Sequence, residues 1–86
     1  MTPVEVRAHV AVVRQRPRSY GDNPSDLESY LCGVVTGAAP WGVDVRDLWA
    51  EHMDPPLRPY VYADSTHDSV CDHALRVVDA LWPVSP

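Results

Sequence analysis

The sequence predicts an all-α fold, a single domain of about four short helices over residues 1–86. Three observations predict it. Thr2-Pro3-Val4-Glu5 and Asn23-Pro24-Ser25-Asp26 both read as capped helix starts. The segments that follow Pro24 and Ser65 place their apolar residues at 3.6-residue spacing. Prolines then interrupt the periodic runs at Pro17, Pro40, Pro55-Pro56 and Pro83.

In the first element Thr2 is the expected N-cap, Pro3 the first helical residue and Glu5 the partner that closes a capping box. Val6, Val10 and Val13 share a helical face. Val4, Val6, Ala8, Val10 and Val12 also alternate as a strand would, and valine favours strands, so a strand over residues 3–16 and an α+β class form the competing expectation. The second helix runs from Pro24 to near Gly37 and puts Leu27, Tyr30, Leu31, Val34, Val35 and Ala38 on one side. Gly37, Pro40 and Gly42 make a turn. Asp44 caps a third helix that Pro55-Pro56 ends, with Val45, Leu48, Trp49, His52 and Met53 on its apolar side. Leu57 to Ala63 is expected to be an extended connection with Tyr60 and Tyr62 on the same side. The last helix starts at Asp64 or Ser65 and reaches about Trp82, with Val70, Cys71, Ala74, Val77, Val78 and Leu81 as its stripe. The expected core is Val10, Val13, Leu27, Leu31, Val34, Leu48, Trp49, Cys71, Leu75, Val78 and Leu81.

A chain of this length buries only about 60–65% of its unfolded surface, which leaves little room for a large cofactor cleft, and no cofactor is expected. Phe, Ile and Lys are absent, a bias that reads as a high-GC bacterial or phage genome. Net charge is −5 and uneven: residues 1–20 hold four arginines against one glutamate, and the remaining 66 hold eleven acids against three arginines. The acidic bulk argues against nucleic-acid or anionic-membrane partners, which need a basic patch, and favours a basic protein partner or simple solubility. Val4 to Val13 is interrupted by Glu5, Arg7 and His9, so neither a signal peptide nor a membrane span is expected, and a cytoplasmic location with Cys32 and Cys71 as free thiols follows.

The strongest functional signal is a row of carboxylates, Asp44, Asp47, Glu51 and Asp54, which fall within about a quarter-turn on the third helix, opposite its apolar side. Like charges at these spacings cost a few tenths of a kcal/mol per pair, and Glu51 and Asp54 lie where the helix dipole disfavours anions. Asp64, Asp68, Asp72 and Asp79 form a second row on the last helix. A solvated helix face is the ordinary reading of such rows; a recognition surface for a basic partner is the functional one, with Trp41 and Tyr20 as aromatic residues at its edge. Trp41, between Pro40 and Gly42, is the tryptophan expected nearest to solvent.

Other chemistries find less support. His67 and Cys71 are one turn apart with Asp72 and His73 beside them, but zinc needs further ligands and no Cys-x-x-Cys or His-Glu-x-x-His occurs, so no metal site is expected. Cys71 on an apolar stripe reads as a small hydrophobe, and nothing marks Cys32 as an activated nucleophile, so no catalytic residue is assigned. Gly33, Gly37 and Gly42 form no phosphate-binding loop, and no lysine is present to serve one.

The stretch Arg14-Gln15-Arg16-Pro17-Arg18-Ser19-Tyr20-Gly21-Asp22, followed by Leu27, Tyr30, Leu31 and Gly33, carries a resemblance. It resembles the opening of type II topoisomerase ATPase subunits, whose R-x-R-P-G-M-Y-I-G-D stretch follows a first helix. The rest of that ATP site is missing, so no activity is implied. It also resembles small bacterial proteins, some similar to immunity proteins of toxin systems, with an R-P-x-x-Y-x-G turn between two helices. Arg16, Pro17, Tyr20 and Gly21 match, Ser19 replaces the methionine, and the residue between Tyr20 and Gly21 is lost. The resemblance covers about the first third of the chain and implies a helical start and a non-enzymatic role. The function expected is therefore a small acidic binding protein, an immunity-type inhibitor of a basic partner. A small accessory protein or enzyme acting on a small molecule, and a phage-encoded acidic mimic of DNA, are the alternatives.

Overall fold

The structure, a computed structural model, describes residues 1–51 and 66–83. Helix α1 spans Pro3–Gln15, a short 3-10 turn spans Pro17–Ser19, α2 spans Pro24–Ala38, α3 spans Val45–Glu51 and α4 spans His67–Leu81. Among the described residues there is no strand, so the class is all-α.

Capping decides the ambiguous first segment. Thr2 Oγ accepts the Glu5 backbone N–H at 3.2 Å while the Thr2 N–H donates to Glu5 Oε1 at 3.1 Å. The reciprocal pair satisfies donors that a strand would leave to a neighbour, and it holds the Glu5 carboxyl below its ordinary range, the backbone N–H being the larger cause. Asn23 caps α2 by accepting the Asp26 N–H at 3.0 Å. The α4 start differs from expectation: Thr66 rather than Asp64 or Ser65 is the cap, and Ser69 closes its box in the place usually held by Glu or Gln. His52, Met53, Asp54, the Pro55-Pro56 stop, the extended connection over Leu57–Ala63 and Asp64 lie outside the described residues.

The core is built mainly on α4, which packs against α1, α2 and α3. Val6, Val10 and Val13 of α1, Leu27, Leu31 and Val35 of α2, Val45 and Trp49 of α3, and Val70, Cys71, Ala74, Val77 and Val78 of α4 are all buried. Val34, Leu48, Leu75 and Leu81, expected inside, are only partly buried against this cluster. The reason is geometric. Leu27, Leu31 and Val35 recur every four residues, so the buried line of α2 runs through them, and Val34, about 100° away from Val35, falls on its margin.

Charge and hydrogen bonds then fix how the helices sit. Arg7 pairs with Asp79 at 3.0 Å and also donates to the Trp82 carbonyl at 3.4 Å. Arg14 reaches Asp68 at 2.8 Å and Asp72 at 2.5 Å, and these carboxylates hold its guanidinium firmly protonated, the Asp72 hydrogen bond being the largest cause. The arginine excess of α1 thus lies against the aspartate excess of α4. Such half-exposed pairs contribute about 0.2–1 kcal/mol each, so they orient the helices more than they stabilise them. Three histidines join separate elements: His9 Nε2 to Tyr30 Oη at 2.6 Å between α1 and α2, His67 Nε2 donating to the Gly21 carbonyl at 3.0 Å, and His73 Nε2 donating to the Trp49 carbonyl at 2.8 Å.

Candidate functional site

The surface that leads to function begins at a turn. Val43 N–H donates to the Pro40 carbonyl at 3.3 Å, closing Pro40-Trp41-Gly42-Val43, and Gly42 at its third position has φ 89°. A glycine there is what a type II turn requires, and the corner it makes leaves Trp41 wholly exposed, with Val43 beside it partly so. Asp44 follows directly and caps α3, its Oδ1 accepting the Asp47 N–H at 3.2 Å. Asp44, Asp47 and Glu51 are all exposed, and among the described residues none has a cationic partner within ion-pair distance.

This geometry divides the two acidic rows. Asp68 and Asp72 share Arg14 and Asp79 pairs with Arg7, so these three members of the α4 row are explained by helix packing. In the α3 row Asp44 and Asp47 also do structural work, because a cap and an acid in the first turn meet the positive end of the helix. Glu51, at the last residue of α3, gains nothing of that kind. Asp54 lies outside the described residues. Tyr20, half-buried, packs with His9 and Tyr30 where α1 meets α2, with ring centroids 5.6 and 5.1 Å away.

A second feature, not anticipated from the sequence, is a groove of about 560 Å³ between α2 and α3, lined in part by Glu28, Cys32, Gly33, Arg46, Trp49 and Ala50. Trp49 is 5% exposed and stands edge-on to His73 at 4.9 Å, and its indole N–H is the one buried side-chain nitrogen or oxygen among the described residues without a hydrogen-bond partner. An unsatisfied buried donor costs about 1–3 kcal/mol. The spacing of Glu28, Cys32 and Thr36 along one flank of α2 was the only sequence signal for this groove, and it carries no marked chemistry.

The metal candidate does not assemble. His67 is spent on the Gly21 carbonyl, and among the described residues no group of three or more His, Cys, Asp or Glu side chains is placed to hold an ion. Cys71 is buried, and that burial pushes its thiol up, partly opposed by Arg14; Cys32 is half-buried. Both are free thiols. Burial also raises the Tyr30 hydroxyl, with Tyr20 adding to it. Two outcomes are expected. Iodoacetamide labels Cys32 ahead of Cys71, which reacts only after urea unfolds the chain, as mass spectrometry of the peptides would read. Raised folded-state values mean that the native chain keeps the Cys71 and Tyr30 protons while the unfolded chain loses them. The stability they contribute is intact below about pH 8.5, the ordinary thiol value, and falls as pH rises through the folded values. Urea midpoints measured on either side of that range check the sign: the alkaline midpoint is the lower one.

No described helix is long and apolar enough to cross a membrane. No protein-family model, curated protein or solved structure matches the chain, so its functional reading rests on its own residues.

Proposed function

We propose that this chain is a small acidic protein-binding module that takes a basic protein partner on the α3 surface, in the manner of an immunity-type inhibitor. The observation that supports this reading is the solvent-standing Trp41 beside carboxylates without cationic partners among the described residues. An exposed tryptophan is a costly residue to leave in water and a common anchor of interfaces, where truncation typically costs 2 kcal/mol or more by general experience. The Asp44, Asp47 and Glu51 field would steer a cationic surface toward it, and Trp41, once covered, would set how long the complex lasts.

Affinity capture from the cells of origin, with the chain and two variants as baits, tests this. The first variant combines Asp44→Asn, Asp47→Asn and Glu51→Gln; asparagine caps as well as aspartate, so the fold is kept while the charge is removed. The second is Trp41→Ala, which removes a side chain that supports nothing inside the domain. The expected result is a basic protein retained by the parent, released by raised salt and lost from both variants, with Trp41→Ala weakening the purified pair by about thirtyfold. The same proteins held equally by all three baits would return the row to a solvated face.

A further inference from the structure

The groove between α2 and α3 lies apart from the acidic row: Arg46 and Ala50 line it, while Asp47 and Glu51 lie on another side of the same helix. We propose that this groove binds a small organic carboxylate, with the anionic head on Arg46 and an apolar body laid across Gly33 between the helices.

Two observations carry the assignment. The Arg46 guanidinium is exposed and makes no ion pair among the described residues, although the chain is rich in acids that could have paired with it. Gly33 lies in the middle of α2, where glycine is the poorest helix former after proline, and a methyl group added there would meet nothing within 4 Å. No packing contact explains the glycine, whereas a flat ligand body resting on the helix backbone does. Trp49 also lines the groove, with its ring almost wholly buried there.

The remaining lining narrows the ligand. Thr36 donates its hydroxyl to the Cys32 carbonyl at 2.7 Å, so it offers acceptor lone pairs rather than a donor. Glu28 disfavours a second anionic group, which makes the ligand polar at one end only. Trp49, Cys32 and Ala50 give polarisable and apolar walls. The volume, about 560 Å³, lies within the range of about 300–1,000 Å³ of small-ligand sites. Nothing here depends on the protein-binding reading, and neither result below alters it.

Benzoate is the probe, titrated into the full chain labelled with ¹⁵N, with benzyl alcohol as the uncharged control. The expected result is saturable binding that moves the Trp49 indole resonance while those of Trp41 and Trp82 stay in place, with benzyl alcohol at least tenfold weaker. Arg46→Gln should weaken benzoate about tenfold or more. Gly33→Leu should abolish binding while leaving the melting temperature at or above that of the parent, which separates a filled groove from a damaged fold. No saturable shift by roughly 10 mM benzoate, equal binding of benzyl alcohol, or unaltered binding by Gly33→Leu would each overturn the proposal.

Discussion

Gly21→Ala is expected to cost about 3–5 kcal/mol, at the upper end of what single substitutions do, and to lower the melting temperature by on the order of 15–30 °C. The cause is backbone against backbone. A Cβ on Gly21 would stand 2.6 Å from Leu27 Cα and 2.8 Å from the Asp26 carbonyl carbon, and the Leu27 nitrogen is closer still. Those atoms belong to the first turn of α2 and cannot swing aside as a side-chain tip would. Leu27 is itself buried, so moving that turn also pulls a core residue. The Gly21 carbonyl accepts from His67 at the start of α4, so the displaced loop loses that tie as well. Gly33→Ala is the control, because a methyl there meets nothing within 4 Å and should stabilise the helix by about 0.5–1 kcal/mol. Far-UV circular dichroism melts of the two alanine variants should therefore move in opposite directions from the parent. A Gly21→Ala melt that matches the parent would contradict the close approach of loop and helix.

How much of this was legible in the sequence depends on whether the signal was local. Thr2, Glu5, Asn23 and Asp44 act through hydrogen bonds between residues three positions apart, so their caps could be read directly, and so could the α2 and α4 stripes. The strand alternative for residues 3–16 persisted because valine alternation satisfies both periods; the Thr2–Glu5 box and burial of Val6, Val10 and Val13 against α4 decided it. The pairing of Arg7 and Arg14 with Asp68, Asp72 and Asp79 joins residues 54 to 72 positions apart, which no local pattern reports. The α4 row therefore looked as unexplained as the α3 row until the helices were placed side by side. The ring neighbours of Tyr20, His9 and Tyr30, come from two other helices and were hidden from the sequence for the same reason. Gly21 was read only as a turn residue, and its true constraint is a contact with Leu27.

Leu31→Ala is expected to cost about 2.7–5 kcal/mol, and the melting temperature to fall by about 4–8 °C for each of those. Leu31 is fully buried and lies on the same line of α2 as Leu27 and Val35, the line that faces the central helix α4. Removing its branched end deletes apolar area that burial had taken out of water and leaves a void that the neighbours cannot close without moving a helix. The buried core is mostly valine, short and stiff at χ1, with little reach to fill the space. A domain of this size has a total stability of about 4–13 kcal/mol, so the loss consumes a large share of it. Leu31→Met, which keeps the volume, should cost less than about 1.5 kcal/mol. Urea titrations followed by tryptophan fluorescence give both values, with Trp49 in the core as the reporter. If alanine and methionine cost the same small amount, Leu31 is not at the centre of the packing and the α2–α4 interface is looser than the buried line indicates.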